Sequence, residues 1–269
     1  MTATLLADVP TVELDREDRL AAMRSGEVGA VHSWELVTAV DGPGTRMTTF
    51  LTGCPLRCLY CQNPDTWRMR DGTEVRADDL VARIARYRSV FAATGGGITL
   101  SGGEPLMQPR FVAHVLRGAK ELGVHTALDT SGFLGAAATD EMLDDVDLVL
   151  LDVKSGDEET YRQVTGRALQ PTIDFGDRLA ARGTEVWVRF VLVPGLTDAE
   201  ENVENVARIV ERWPNVTRVE ILPFHQMGRE KWERLDASYA LSDVNPPSPE
   251  LVGRVRRQLE AHGLPTYVG

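Results

Sequence analysis

The three cysteines of this 269-residue chain, Cys54, Cys58 and Cys61, fall within eight consecutive positions of the stretch GCPLRCLYCQN. Thiolates placed that close can form a disulfide, grip a metal or act as a redox pair. Three is an odd number, and a chain of this size buries roughly 75% of the surface it exposes when unfolded, so a disulfide framework is disfavoured and a reducing compartment is implied. A structural zinc site wants four ligands, usually as two paired knuckles, and there is no second cysteine pair or ligand-spaced histidine. Cys58 and Cys61 form a CxxC, but a third thiol at Cys54 and the lack of a thioredoxin-sized unit argue against a redox pair. Buried structural cysteine is the plain alternative; Gly53, Pro55 and Asn63 mark the stretch as a loop instead. An iron-sulfur cluster is left, suited to clustered soft ligands. A cubane cluster has four irons, so three thiolates leave one iron open, as catalytic metal sites keep a position free and structural sites close.

The elements that must position this loop alternate in type. Short β-rich runs (MTTFLTG, GITLSGG, VHTALDTSG, VDLVLLDVK, EVWVRFVLVPG, VTRVEILPFH) are separated by helical patterns. Those lie near ADDLVARIARYRSVFA, RFVAHVLRGAKELG, TDEMLDDV, DEETYRQVTG with TIDFGDRLAARG, and residues 198–213. Continuous apolar strands each followed by a helix are what a parallel sheet covered by helices requires. Six such units fit an α/β fold of the open, partial (β/α)6 barrel kind, with parallel strands and helices outside; a doubly wound sheet is the alternative. In either, ligands belong at the C-terminal ends of the strands. There the unusual residues fall: the cysteines after LTG, Ser101-Gly102-Gly103-Glu104-Pro105 after ITL, Asp129 after VHTAL, and Asp152-Val153-Lys154 after VDLVLL. Arg189 lies within the next strand, and Pro223-Phe224-His225 follow VEIL.

Residues 1–28 are polar and acidic and read as an N-terminal surface extension with a short helix over DREDRLAAMRS; residues 29–269 read as a single domain. A formal charge of −11, from 29 basic and 40 acidic residues, opposes general attraction to nucleic acid or anionic membranes. The start has no basic n-region and no apolar run of signal length, and later apolar runs are strand-sized, so the reading is cytoplasmic.

CxxxCxxC is the motif of the radical S-adenosylmethionine enzymes, and SGGEP supplies their glycine-rich turn after the second strand. VDGPGTR, GCPLRCLYCQNPDTW, GGGITLSGGEPL, LDTSG, LLDVK, VWVRFVLVPG and ILPFHQMGREKW together resemble, in order over residues 29–269, the pyruvate formate-lyase activating enzymes of that superfamily. Other glycyl radical activases commonly insert a cysteine-rich ferredoxin-like segment; here residues 62–100, between Cys61 and Ser101, contain no cysteine.

The resemblance implies a 4Fe-4S cluster on Cys54, Cys58 and Cys61, with S-adenosylmethionine on the open iron. Tyr60 and Gln62 would lie against that cofactor, and Gly102 and Gly103 would meet its amino group. Asp152, Val153 and Lys154 would line it, with Lys154 pairing its carboxylate, and His225 would reach the ribose. A monovalent cation would lie near Asp129 and Asp152, although two aspartates also serve as turn or cap formers. Asp41 and Arg189 are candidates for holding the substrate peptide, with a turn-forming aspartate and a charge-balancing arginine as the plain alternatives. The implied reaction removes a hydrogen atom from a glycine of pyruvate formate-lyase, the partner protein, after reduction by a flavodoxin or ferredoxin-like carrier docking near Arg57 and the arginines that follow Trp67. Activation of a different glycyl radical enzyme, or a zinc-stabilised binding protein without catalysis, are the rival readings. One departure stands out: Gln62 occupies a position where the family commonly has histidine, and an amide does not titrate near neutral pH.

Overall fold

Asp15 sets the first element, because its carboxylate accepts the amides of Glu17 and Asp18 and so caps helix α1 (Arg16–Ser25), which Gly26 ends at φ 88°. In the computed structural model residues 10, 12, 14–38 and 40–269 are described; residues 1–9, 11 and 13 of the expected extension lie outside them. The chain divides into two compact units.

The first unit comprises the chain up to Pro55, Thr66–Thr130 and Ala137–Val149. After α1 it contains β1 (Val28–Thr38), β2 (Arg46–Leu51), β3 (Thr73–Arg76), α2 (Ala77–Arg86), α3 (Arg88–Thr94), β4 (Gly97–Gly102), α4 (Pro109–Glu121), β5 (His125–Thr130) and α5 (Asp140–Asp144). Its strands run in the order β3-β1-β2-β4-β5. β2, β4 and β5 are parallel, as the alternation of strands and helices requires, whereas β1 is antiparallel to both β2 and β3. β1 has no clean two-residue period because its register shifts between Val31 and Ser33 and again between Leu36 and Thr38. The long helical pattern after β3 divides at Tyr87 into α2 and α3. The amphipathic α4 buries Phe111, Val112, Val115 and Leu116.

Strand β6 (Leu148–Asp152) begins in the first unit and ends in the second, which comprises Leu56–Asp65, Ser131–Ala136 and Leu150–Gly269. There follow α6 (Glu158–Thr165), α7 (Gln170–Arg182), β7 (Glu185–Leu192), α8 (Glu200–Val210), β8 (Val216–Pro223), α9 (Arg229–Arg234), α10 (Pro249–Ala261) and β9 (Thr266–Val268). β7, β8 and β9 are parallel neighbours. Val186, Val188, Phe190 and Leu192 of β7 are buried on one face, each fully buried side chain contributing about 1.5–3 kcal/mol. The alternate residues Trp187 and Arg189 carry the polar chemistry of the strand, in register with Arg218 and Glu220 of β8. Among the described residues no helix is long and apolar enough to cross a membrane.

Candidate functional site

In the first unit, the chain leaving β2 is bolted to the turn after β4. The Gly103 amide donates to Leu51 O and the Glu104 amide to Gly53 O, both at 2.8 Å, while Gly53 donates to Thr66 O and Cys54 to Trp67 O. Gly102 has φ +116°, and a Cβ on it would lie 2.2 Å from Leu51 N; one on Gly103 would lie 2.4 Å from Gly53 O. Within this unit, then, the two glycines of SGGE admit the backbone of β2 and of the cysteine loop. Glu104, almost wholly buried, accepts from Thr130 Oγ1 at 2.6 Å and from the Leu106 amide. Gln108, also buried, brackets Ala30 through its amide and donates to Thr52 O at 3.0 Å. Neither residue was singled out for a role from the sequence; Glu104 was visible there as part of SGGEP.

Asp41 accepts from Thr48 Oγ1 at 3.0 Å, and its carbonyl accepts from Thr99 Oγ1 at 2.6 Å. Beside it the fully buried Arg46 donates to Thr99 Oγ1 at 2.7 Å, to Pro43 O at 3.1 Å and to Ile98 O. Burial lowers the Arg46 pKa to about 10 against the pull of Asp41 and Asp147, which still leaves it charged at neutral pH. On the same polar face, Asp129 accepts from Ser101 Oγ at 2.6 Å.

In the second unit, the middle of the cysteine loop is strapped to the end of α6, with Arg57 N on Thr165 O and Leu59 N on Val164 O. Cys58 and Tyr60 are buried there with Lys154. The Lys154 ammonium donates to Asp152 Oδ2 at 2.8 Å and lies 5.6 Å from the centre of the Tyr60 ring. Burial works against that ammonium, but the charges of Asp152, Cys58 and Tyr60 outweigh it and hold its pKa well above the usual lysine value. Burial likewise pushes the Cys58 thiol up, and the Tyr60 phenol well up, with Lys154 opposing in both cases. The Tyr60 hydroxyl is enclosed with no hydrogen-bond partner among the described residues. Val153 is fully buried and its amide donates to Arg189 O at 3.0 Å. Arg189 makes a buried ion pair with Glu220 at 3.3 Å, which Arg218 also engages at 3.2 Å; the sequence reading had not weighed Glu220.

Gln62 Nε2 donates to the carbonyl of His225 at 3.1 Å. His225 is exposed, and its Nδ1 accepts from the Met227 amide at 3.4 Å. Trp232 Nε1 donates to Cys61 O at 2.9 Å. Trp232 lay inside the motif ILPFHQMGREKW but had no role assigned. None of the three cysteines is in a disulfide.

The first unit carries the glycine turn and Cys54, and the second carries Cys58, Cys61 and Lys154; residues 48–207 match the Radical SAM superfamily. That match defines the class, radical S-adenosylmethionine enzymes, and its α/β fold with mostly parallel strands. Among curated proteins, the chain is 42% identical to the pyruvate formate-lyase-activating enzyme of Clostridium pasteurianum, over 87% of this chain and 98% of that one. It is 40% identical to the pyruvate formate-lyase 1-activating enzyme of Escherichia coli K12, over 88% and 97%. The chain belongs to the family of pyruvate formate-lyase activating enzymes. Solved structures carry the fold likeness alone. A radical SAM methyltransferase from Sphaerobacter thermophilus is 17% identical, with TM-score 0.61 over 95% of this chain and 82% of that one. A domain of an activating enzyme from Bacteroides vulgatus is 24% identical, with TM-score 0.54 over 65% and 99%.

Proposed function

We propose that this chain is the activase of pyruvate formate-lyase, with residues 29–269 as one radical SAM domain and residues 1–28 as an extension, acting in the cytoplasm. The observation that carries the reading is the loop with three thiols in eight residues, its middle thiol buried, in a chain of this family. When bound, a 4Fe-4S cluster supplies the electron that cleaves S-adenosylmethionine, and the radical so formed takes a hydrogen atom from a glycine of pyruvate formate-lyase.

The thiols of Cys54, Cys58 and Cys61 hold the cluster. Burial keeps Cys58 protonated in the metal-free chain, so its proton leaves when metal binds. Enclosed hydroxyls without partners, as at Tyr60, suit a site completed by a bound group. Lys154 presents a permanent positive charge, shared with Asp152, to the carboxylate of S-adenosylmethionine. Val153 closes the wall behind it, Gly102 and Gly103 offer backbone to the amino group, and Tyr60, Gln62 and His225 flank the nucleoside. Asp129 and Asp152 hold a monovalent cation. Asp41, which keeps its charge beside the Thr48 hydroxyl, and Arg189, fixed by its ion pair with Glu220, orient the substrate peptide. A glycine suits this site because it has no side chain to exclude and gives a radical stabilised by its flanking amides. The one-electron reductant is a small acidic flavodoxin or ferredoxin-like protein; the exposed Arg57, and separately Arg68 and Arg70, offer it positive charge.

The test is anaerobic assembly with iron and sulfide, followed by reduction in the presence of S-adenosylmethionine and purified pyruvate formate-lyase. Release of 5′-deoxyadenosine and a glycyl radical signal are expected. One zinc and no sulfide sinks the cluster; 5′-deoxyadenosine release that survives Cys58→Ser sinks the ligand assignment; a radical raised only on another glycyl radical enzyme sinks the partner.

A further inference from the structure

Helix α1 lies ahead of the resemblance over residues 29–269, and the function just given leaves it without a role. Within the first unit, α1 and the start of α4 border a groove of about 600 Å³ lined by Leu20, Met23, Met69, Met107 and Phe111. Leu20 and Met107 are exposed, at 44% and 39%. Three of the chain's seven methionines meet there. An unbranched thioether repacks against varied shapes, so this composition suits a contact surface. Charge selects what can sit on it. Among the described residues the charged side chains of the lining are Arg24 and Arg110, with no carboxylate, although the whole chain has a formal charge of −11. Both arginines are exposed, and Arg110 Nη1 donates to Arg24 O at 2.6 Å, tying α4 to the end of α1. The exposed Arg68 and Arg70 flank Met69 in the chain. The groove also abuts the cysteine loop. A Cβ on Gly53, the residue before Cys54, would lie 2.4 Å from Met69 Sδ and 3.4 Å from Met107 Cβ.

We propose that this groove, with α1 as one wall, is the docking site of the one-electron carrier, a small acidic protein that exposes an apolar edge around its redox group. This rests on the cluster and reductant readings above. Carboxylates around that edge meet Arg24 and Arg110, which steer the encounter. The edge itself covers the methionines and expels water from them. One electron passes from the reduced carrier to the cluster; the carrier is oxidised by one electron, the cluster is reduced by one, and no bond or proton changes hands. The carrier is favoured over the protein substrate because the groove abuts the cysteine loop at Gly53 and contains none of the residues assigned to S-adenosylmethionine or to the substrate peptide.

Purified flavodoxin is the probe, with a 2Fe-2S ferredoxin as the second, and the full chain is loaded with cluster anaerobically. Arg24→Gln/Arg110→Gln is expected to weaken flavodoxin binding about tenfold by calorimetry at low salt, and to slow cluster reduction by reduced flavodoxin in proportion. The difference should shrink at about 0.5 M salt. Arg208→Gln/Arg256→Gln removes the same charge from exposed positions of α8 and α10 and should bind as the parent does. Because Arg110→Gln also gives up the bond to Arg24 O, Leu20→Gln is tested alone; it should weaken binding about threefold at both salts. In the parent, bound flavodoxin should slow amide exchange over residues 16–25 and 105–111. Reduction by dithionite needs no docking and should be unchanged throughout; slowing there as well overturns the proposal, since the substitutions would then act on the cluster. Parent-like carrier binding in both groove variants overturns the groove and leaves the reductant reading standing. Weakened binding of pyruvate formate-lyase in its place gives the groove to the substrate and overturns the proposal too. A parent chain that dithionite reduces but neither carrier does overturns the reductant reading and the groove together.

Discussion

Replacing Gly102 by alanine is expected to destabilise the chain before any cofactor is involved. The added Cβ would lie 2.2 Å from the amide nitrogen and 2.4 Å from the carbonyl oxygen of Leu51, both backbone atoms of β2. Leu51 cannot swing aside like a side-chain tip, since its carbonyl also accepts the Gly103 amide. A φ of +116° adds strain of about 1–2 kcal/mol for an L side chain, and forcing a carbon into packed structure adds about 1–3 kcal/mol. Gly183, at the end of α7, sets a lower bound on the strain: its φ is +72°, within the milder left-handed helical region, and nothing lies within 4 Å of its Cβ, so Gly183→Ala costs that smaller strain alone. The unfolded-state effect of alanine, about 0.4–1 kcal/mol, is common to both and cancels. Gly102→Ala is therefore expected to be about 1–3 kcal/mol worse than Gly183→Ala. With a urea slope of about 2–3 kcal/mol per molar, its midpoint falls about 0.3–1.5 M lower in metal-free protein followed by circular dichroism. Equal midpoints, with loss confined to S-adenosylmethionine affinity, would refute the reasoning, because the space at Gly102 would then belong to the cofactor and not to Leu51.

Three further outcomes are expected. Gln62→Glu turns a donor into an acceptor against the His225 carbonyl, so amide exchange over residues 225–232 should quicken about tenfold, for about 1.4 kcal/mol lost; exchange as slow as in the parent removes the tie. Lys154→Met should weaken S-adenosylmethionine binding to the cluster-loaded protein about 10- to 100-fold by calorimetry, the worth of one charge-assisted hydrogen bond; unchanged affinity takes Lys154 out of the cofactor site. His262 joins the end of α10 to Glu211 at 2.5 Å and Glu204 at 3.0 Å, which raise its pKa above 6.5. A raised folded pKa gives stability that is complete below 6.5 and is lost as pH rises through the folded value. His262→Gln should therefore lower the urea midpoint at pH 6 and barely change it at pH 9; an equal loss at both contradicts the linkage.

The helices α4, α7 and α8 were legible because their apolar residues recur at helical spacing, and β2, β4 and β5 to β8 because their apolar runs end at turn residues. β1 was not, since bulges break its period, and β3 and β9, of four and three residues, are too short to show one. The site divides in the same way. Lys154 beside Asp152 was readable as a pair delivered by one strand, but the reading gave the lysine to a ligand, whereas it also binds the carboxylate two residues away. Arg189 was readable as a charge within a strand, there to hold substrate or to balance acids, but its partner Glu220 lies on another strand, 31 residues on. Gln62 was visible as a departure from the family, and only the fold spends its amide on a carbonyl 163 residues distant.

The sequence by itself determined what depends on covalent spacing: three thiols in eight residues, two glycines in one turn, a lysine two places after an aspartate, and the alternation that makes an α/β fold. Tertiary structure decided which groups those residues meet, because side-chain partners far apart in the chain are chosen by packing and not by local conformation. The room at Gly102 is filled by Leu51, Glu104 is bound to Thr130, and Cys61 is held by an indole from 171 residues away. No short-range pattern encodes such pairings; they exist only once burial has removed water as the competing partner.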